Sequence, residues 1–184
     1  MRMAGIRRIV FGFGLWLCLS LTPGYGVEEM AQVKVNDEAP AFTLKAGDGS
    51  TVTLGQYRGK KPVVLFFYPK DDTAICTKEV CAFRDSFADF QAAGAVVLGV
   101  SSDSRESHDA FAGKHHLPYP LLADEGGAVR KLYGVPSTMG LLPGRVTYVI
   151  DREGVVRHVF NSQLDAGKHV DEALKTLKSL GASG

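Results

Sequence analysis

The chain has 184 residues, of which 45% are hydrophobic, and its formal net charge is +1. This composition fits one globular domain with a substantial core and excludes a disordered or fibrous protein. The near-balanced charge gives no indication of a nucleic-acid partner.

The N-terminal segment differs in character from the rest of the chain. Arginines precede an uncharged apolar run over residues 9–21, which is shorter than the roughly 20 residues that a bilayer-spanning helix needs. Small residues, Gly24 and Gly26, stand at the −3 and −1 positions of a candidate cleavage site. This pattern predicts an export signal over residues 1–26, with an uncleaved membrane anchor as the alternative.

The remaining residues, 27–184, contain no repeat, low-complexity tract or linker, so we expect a single domain. Export would place this domain in a compartment such as the periplasm or a thylakoid lumen, where disulfides persist. Cleavage near Gly26 removes Cys18 and leaves an even pair, Cys76 and Cys81.

The first predicted elements are two strands, a central strand and a helix. Alternating residues around a Gly-Asp-Gly turn predict an N-terminal β-hairpin over residues 41–54. The continuous apolar run over residues 61–68 predicts a central strand buried on both faces. Apolar residues at helical intervals then predict one helix over about 74–92, which Gly94 ends.

The second half of the chain continues this alternation. Residues 95–101 predict another buried strand, and Asp103 with Glu106 three residues later resembles a capping box that opens a helix reaching about Lys114. A short strand and a short helix are expected within residues 119–135.

The last predicted elements are a hairpin over residues 146–160, which turns at Gly154, and a helix with an apolar stripe over residues 170–180. Strands that alternate with helices and then form a hairpin predict an α/β domain with a mixed central sheet flanked by helices on both faces. Two cysteines at the start of the first long helix suggest a thioredoxin-like fold by analogy of layout.

The stretch "FFYPKDDTAICTKEVCAFRD" concentrates the chemistry. Cys76 lies where the strand gives way to the helix, so unpaired backbone N–H groups and the helix dipole favour a thiolate, the nucleophilic form of cysteine. Its polar neighbours argue against an inert core cysteine. Pro69 restricts the preceding turn, and the hydroxyl of Thr73 is placed either to cap the helix or to face a ligand above the sulfur.

The pattern Pro-x-x-x-Thr-x-x-Cys, with a second cysteine five residues later, resembles the peroxiredoxins. The position of the second cysteine is similar to that in the peroxiredoxin Q or bacterioferritin-comigratory branch in particular. The likeness extends through "APAFTL", "SSDS", "LPYPLLADEGGAVRKLYGV" and "LPGRVTYVID". The resemblance implies a thioredoxin-like fold. It also implies a thiol-dependent peroxidase that reduces hydrogen peroxide and organic hydroperoxides.

The resemblance also implies a role for each site residue. Cys76 is the peroxidatic cysteine, and Cys81 is the resolving cysteine that joins it in an intramolecular disulfide. Thioredoxin or a thioredoxin-like protein then reduces this disulfide, no cofactor is needed, and the mature domain is expected to be monomeric. The residues expected to bind the peroxide are Pro69, Thr73, Ile75 and Arg145, of which Thr73 orients it and Arg145 stabilises the thiolate and the transition state.

One departure from the family pattern lies beside the reactive thiol. Members commonly carry Pro-Gly directly before the peroxidatic cysteine, whereas this chain has Ala74 and Ile75. Without the glycine, a peroxide cannot approach the backbone as closely, although Ile75 retains its N–H group. We therefore expect an altered rate or peroxide preference, with activity retained.

Three other functions compete with the peroxidase. A zinc site is disfavoured because the two cysteines lack the Cys-x-x-Cys spacing, and His115 with His116 is expected to form a solvated helix end. A thiol–disulfide oxidoreductase fits the fold and the export signal but not the cysteine spacing. A non-enzymatic chaperone on the same fold is the remaining alternative.

Helix geometry predicts a conformational change in this stretch. Residues five apart on an ideal helix have Cα atoms roughly 8.6 Å apart, whereas disulfide-bonded cysteines usually have Cα atoms about 4.4 to 6.8 Å apart. Cys76 and Cys81 can therefore join only after the helix unravels. We expect oxidation to unfold residues from about 73 to 84 while the rest of the domain stays folded.

Overall fold

The computed structural model describes residues 32–138 and 142–181, so the predicted export signal lies outside the described residues. The strands and helices in chain order are β1 (Thr43–Ala46), β2 (Thr51–Thr53), β3 (Val63–Phe67), α1 (Ala74–Asp85), α2 (Phe87–Ala92), β4 (Val96–Ser101), α3 (Arg105–His115), β5 (Leu121–Ala123), α4 (Ala128–Leu132), β6 (Ser137–Thr138), β7 (Leu142–Pro143), β8 (Val146–Ile150), β9 (Val156–Asn161) and α5 (Ala166–Gly181).

Seven of the strands form one mixed sheet in the order β2-β1-β5-β4-β3-β8-β9. The central strands β3, β4 and β5 run parallel, and the hairpins β1–β2 and β8–β9 pair antiparallel at the two sides. Strand β8 also pairs antiparallel with β3, and Val146 of β8 lies opposite Phe67 of β3. The predicted mixed sheet and both predicted hairpins are confirmed.

The core lies in two layers, because successive side chains of β3 point to opposite faces of the sheet. Val64 and Phe66 pack with α1, α2, α3 and α5 on one face. Leu65 and Phe67 pack on the other face with α4 and the N-terminal segment. All five residues of β3 are buried, as the continuous apolar run predicted.

The helix predicted over residues 74–92 is wrong in one respect, because two helices occupy this range. Ser86, with φ −97° and ψ 9°, separates α1 from α2, and its carbonyl accepts hydrogen bonds that open the second helix. The break lets Phe83 stack on Phe66 with ring centroids 4.3 Å apart while Phe90 reaches Phe83 at 5.6 Å. Gly94 follows α2 with φ +70°, as expected of a residue that ends a helix.

The predicted capping box at Asp103 is also wrong. Ser104 is the N-cap of α3, and its hydroxyl accepts a 3.3 Å hydrogen bond from the Ser107 N–H. The Asp103 carboxylate instead accepts hydrogen bonds from the Ser101 hydroxyl at 2.6 Å and from the Asp71 N–H at 2.9 Å. Asp103 therefore connects the end of β4 to the loop after β3.

The two-residue strands β6 and β7 pair antiparallel just before Gly144, and no sequence pattern predicted them. The last helix, α5, is confirmed and buries Val170 and Leu177 on its apolar side. Within residues 32–138 and 142–181, no helix combines the length and the apolar character that crossing a membrane requires.

Candidate active site

Cys76 is the third residue of α1, and it is 1% exposed. A 2.8 Å hydrogen bond from the Thr77 N–H to the Thr73 carbonyl opens the helix, so earlier N–H groups point out of its N-terminus. The sulfur therefore lies where the helix dipole favours an anion.

Arg145 is the charged partner of this sulfur. Its Nη2 lies 3.2 Å from the Cys76 Sγ, its Nη1 contacts the Glu79 carboxyl, and its Nε donates to the Gln163 carbonyl at 3.3 Å. The guanidinium is 2% exposed, so its charge acts in a medium that screens little. The structure thus brings Cys76 and Arg145 together. The family resemblance implied this contact, whereas sequence spacing alone could not predict it.

The strand pairing explains how residues so distant in sequence meet. Arg145 directly precedes β8, whose first residue pairs with Phe67, the last residue of β3. The chain leaves β3 at the same edge of the sheet on its way to Cys76. Gly144 is required in this approach, because a Cβ at that position would lie 2.0 Å from the Pro136 carbonyl oxygen.

Arg130 connects the two loops that carry these residues, although the sequence analysis gave it no role. Its guanidinium donates to the Tyr68 carbonyl at 2.6 Å and to the Gly144 carbonyl at 2.8 Å. It also lies over the Phe67 ring, 5.6 Å from the centroid. Burial lowers the pKa of Arg130, and the nearby Asp124 carboxylate opposes this effect. The buried Arg130 therefore holds the loop after β3 against the loop before β8.

Glu79 and His169 complete the buried surroundings of Arg145 and were also missed by the sequence analysis. Burial raises the pKa of Glu79 to about 8, against the opposing charge of Arg145. Burial lowers the pKa of His169 to about 4. Its ring nitrogens contact the Thr147 hydroxyl at 2.8 Å and the Ser162 carbonyl at 2.9 Å. The raised pKa disfavours the charged form of Glu79, which leaves more of the Arg145 charge for the sulfur.

The position of Glu79 offered one signal that sequence analysis could have used. It lies three residues after Cys76, so the two side chains share a helical face. An acidic residue on the buried face of an amphipathic helix requires a partner. The identity of that partner could not be read from the spacing.

The other predicted site residues lie around the helix start. Thr73 is at the N-cap position and is exposed, but its hydroxyl donates to the Lys70 carbonyl at 3.2 Å instead of capping the helix. The capping alternative is therefore wrong, while orientation of a peroxide by Thr73 stays a prediction. Pro69 and Ile75 are both half-buried, one before the turn and one beside Cys76.

A buried network fixes the loop between β3 and α1. The Asp71 carboxylate accepts hydrogen bonds from the Tyr68 hydroxyl at 2.7 Å and the Ser107 hydroxyl at 2.8 Å, and it contacts the His108 ring at 2.8 Å. Burial raises the pKa of Asp71, but the hydrogen bonds from His108 and Tyr68 outweigh burial and leave the pKa below its usual value. The loop before Cys76 is therefore tied to α3.

Cys81 lies on the same uninterrupted helix as Cys76, and both are free thiols. Cys81 is half-buried, and its Sγ lies 3.9 Å from the Nδ1 of His115. The expected solvated helix end is therefore wrong for His115, which is half-buried, whereas His116 is exposed. Among the described residues, no group of three or more His, Cys, Asp or Glu side chains could hold a metal ion.

Sequence comparisons relate the chain to a known family. Residues 35–159 match the AhpC/TSA family. The chloroplastic peroxiredoxin Q of Suaeda salsa is 55% identical over 157 residues, which cover 85% of this chain and 73% of that protein. The chloroplastic peroxiredoxin Q of Arabidopsis thaliana is 55% identical over 150 residues, which cover 81% of this chain and 69% of that protein.

Solved structures show the same relationship. Peroxidoxin BcpB from Mycobacterium tuberculosis superposes with a TM-score of 0.75 at 36% identity, covering 80% of this chain and 98% of that one. The bacterioferritin comigratory protein of Xanthomonas campestris, described for its alkyl peroxide reduction activity, superposes with a TM-score of 0.71 at 30% identity. That match covers 80% of this chain and 96% of the other.

We predict that Arg145→Ala slows oxidation of Cys76 by hydrogen peroxide by about 10², the typical effect of losing one donor that stabilises a transition state. Stopped-flow measurement of the second-order rate constant checks this. Exposed Arg152 supplies the control, since Arg152→Ala should leave the constant unchanged.

Removing Arg145 alone leaves the buried Glu79 carboxyl without its hydrogen-bond partner, which costs about 1–3 kcal/mol. The double variant Glu79→Gln with Arg145→Ala keeps the interior neutral and tests the same prediction in a more stable protein. A rate constant equal to that of Glu79→Gln alone would remove Arg145 from the chemistry.

Proposed function

The chain belongs to the AhpC/TSA family, within its peroxiredoxin Q branch, and we propose that Cys76 and Cys81 carry out its thiol-dependent peroxidase reaction. The observation that carries this proposal is the 3.2 Å contact between Arg145 and the Cys76 sulfur at the start of α1. The relatives support a peroxidase and do not support the thiol–disulfide oxidoreductase or chaperone alternatives.

In the proposed first step the Cys76 thiolate attacks one oxygen of the peroxide. A sulfur–oxygen bond forms, the O–O bond breaks, and the departing hydroxide or alkoxide takes a proton from solvent. Arg145 and the N–H groups at the start of α1 are placed to stabilise the charge that moves onto the oxygens. Thr73 and the Ile75 N–H orient the peroxide beside the sulfur, and Pro69 shapes the turn over it.

In the proposed second step Cys81 attacks the sulfenic acid on Cys76, and water leaves as the intramolecular disulfide forms. Both cysteines lie on α1 as free thiols, so the helical spacing of roughly 8.6 Å between their Cα atoms must shorten first. Unravelling of residues from about 73 to 84 supplies this movement. The amides of residues 81–84 donate to carbonyls within the disulfide loop, so they lose their partners too.

We propose hydrogen peroxide and alkyl hydroperoxides as substrates. The relative from Xanthomonas campestris, which reduces alkyl peroxides, supports the second class. Thioredoxin or a thioredoxin-like dithiol protein is the proposed reductant, since an unravelled, exposed disulfide is accessible to another thiol protein. The mature domain is proposed to act as a monomer, because both cysteines lie on one chain.

We propose further that residues 1–26 direct the chain out of the cytoplasm or into an organelle, with the periplasm or the thylakoid lumen as destination. The chloroplastic relatives support delivery to an organelle. Mass spectrometry of the native protein should find a chain that starts near Val27 in a non-cytoplasmic fraction. An intact Met1 terminus in the cytoplasmic fraction would contradict this assignment.

The two cysteines should respond differently to replacement by serine. Cys76→Ser should abolish peroxide consumption, because no thiolate remains to attack. Cys81→Ser should consume one equivalent of hydrogen peroxide and stop at the sulfenic acid, which dimedone labelling and mass spectrometry detect. Sustained turnover with thioredoxin in Cys76→Ser would refute the assignment.

Amide hydrogen exchange should locate the conformational change. Oxidation of the wild-type protein by one equivalent of peroxide should reduce protection over about residues 73–84 and leave β3, β4 and β8 unchanged. The matched control is oxidised Cys81→Ser, which cannot form the disulfide. Full protection from Thr77 to Arg84 in the disulfide form, or a disulfide between two chains, would rule out intramolecular unravelling.

A further inference from the structure

The resolving thiol has a partner that the proposed mechanism has not used. The Nδ1 of His115 lies 3.9 Å from the Cys81 Sγ. Within the described residues this is the ring's one polar contact, because its Nε2 is buried without a hydrogen-bond partner. His115 comes from α3, so this contact joins two helices far apart in sequence. A half-buried imidazole that contacts a thiol and, within the described residues, no other polar group requires an explanation.

The geometry holds this ring in place. The Phe111 ring meets the imidazole edge to face, with centroids 4.8 Å apart. The His115 carbonyl accepts a 2.9 Å hydrogen bond from Arg84 Nη1, which comes from α1 one turn after Cys81. The end of α3 and the second half of α1 are therefore joined through both the backbone and the side chain of His115.

The charged and titratable groups that face the pair come from each neighbouring element. Arg84 lies three residues after Cys81 on α1, and its guanidinium forms an ion pair with the Asp85 carboxylate at 2.8 Å. Tyr119, beyond the end of α3, donates its hydroxyl to the Val80 carbonyl at 2.6 Å. Burial raises the pKa of Tyr119 well above its usual value, and the nearby Glu79 carboxyl adds to this. The phenol therefore stays protonated, and His115 is the group that can accept a proton from Cys81.

We propose that His115 is the proton acceptor for the resolving cysteine. The neutral imidazole with its proton on Nε2 takes the Cys81 thiol proton on Nδ1, and the thiolate attacks the Cys76 sulfenic sulfur. The S–S bond forms and the S–O bond breaks, so Cys81 is oxidised and the sulfenic sulfur is reduced. The departing hydroxide takes a proton from solvent, and the imidazolium returns its proton to solvent.

This assignment rests on the proposed function, because it concerns the step after peroxide reduction. It also specifies which cysteine moves. Cys81 stays against His115 while the first turn of α1 unravels and carries Cys76 toward it. The remaining turns open once the disulfide has formed. A histidine at this place thus serves the resolving step and has no part in the first oxidation.

The test uses the full-length protein and separates the two chemical steps. Rapid-quench samples taken after one equivalent of hydrogen peroxide are treated with dimedone, so mass spectrometry counts the Cys76 thiol, sulfenic acid and disulfide over time. We expect His115→Gln to leave sulfenic acid formation unchanged and to slow disulfide formation at pH 7 by about 10², the low end of the effect of losing a general base. Exposed His116→Gln is the matched control and should behave as wild type in both steps.

Two further measurements distinguish proton transfer from a structural effect. The deficit of His115→Gln should shrink as pH rises toward 9, because a free thiol ionises by itself near pH 8.5. Added imidazole should partly restore disulfide formation in His115→Ala. A pH-independent deficit without imidazole rescue, or an unchanged disulfide rate, would overturn the role of His115. Failure of Cys81→Ser to accumulate sulfenic acid would instead overturn the proposed function.

Discussion

The buried guanidinium of Arg145 is the constraint on which the rest of the site depends. A cation removed from water is costly unless it is paired, and Arg145 has the Cys76 sulfur, the Glu79 carboxyl and one backbone carbonyl as partners. Because burial raises the pKa of Glu79 and so disfavours its charged form, we propose that the sulfur is the anion that the guanidinium stabilises. Conversion of the thiolate to a neutral sulfenic acid removes that anion, so the proposed chemistry weakens the contact that holds the start of α1.

The two ends of α1 are held with unequal strength, which gives the proposed unravelling a direction. Towards its C-terminus, Phe83 stacks on Phe66, and the Val80 carbonyl accepts a hydrogen bond from Tyr119. At its N-terminus, Ala74 is exposed and Cys76 is anchored through Arg145. Loss of one electrostatic contact therefore frees the first turn before the last turn, which aromatic packing holds until the disulfide forms.

The sequence predicted those strands, turns and helices that a local residue pattern determines. The apolar run of β3, the turn residues of the hairpins and the apolar stripe of α5 each carry a period or a turn signal of their own. The break at Ser86 could not be predicted, because it depends on the tertiary packing of Phe90 against Phe83. The N-cap at Ser104 could not be predicted either, because the distant Asp71 N–H engages the carboxylate of Asp103, the expected cap. Contacts of Arg130, Glu79 and His169 likewise depend on which loops the sheet brings together.

The pairing of β8 with β3 has a consequence for the newly made chain. Cys76 and Arg145 are 69 residues apart, so the loop between them must close before the sulfur meets its cation. Non-local strand pairing of this kind forms late and slowly, after local hairpins and helices. Until then Cys76 has the reactivity of an ordinary cysteine, mostly protonated at neutral pH. If Arg145 activates the thiol as proposed, the unfolded chain is spared premature oxidation during synthesis and any passage across a membrane, and folding itself makes the thiol reactive.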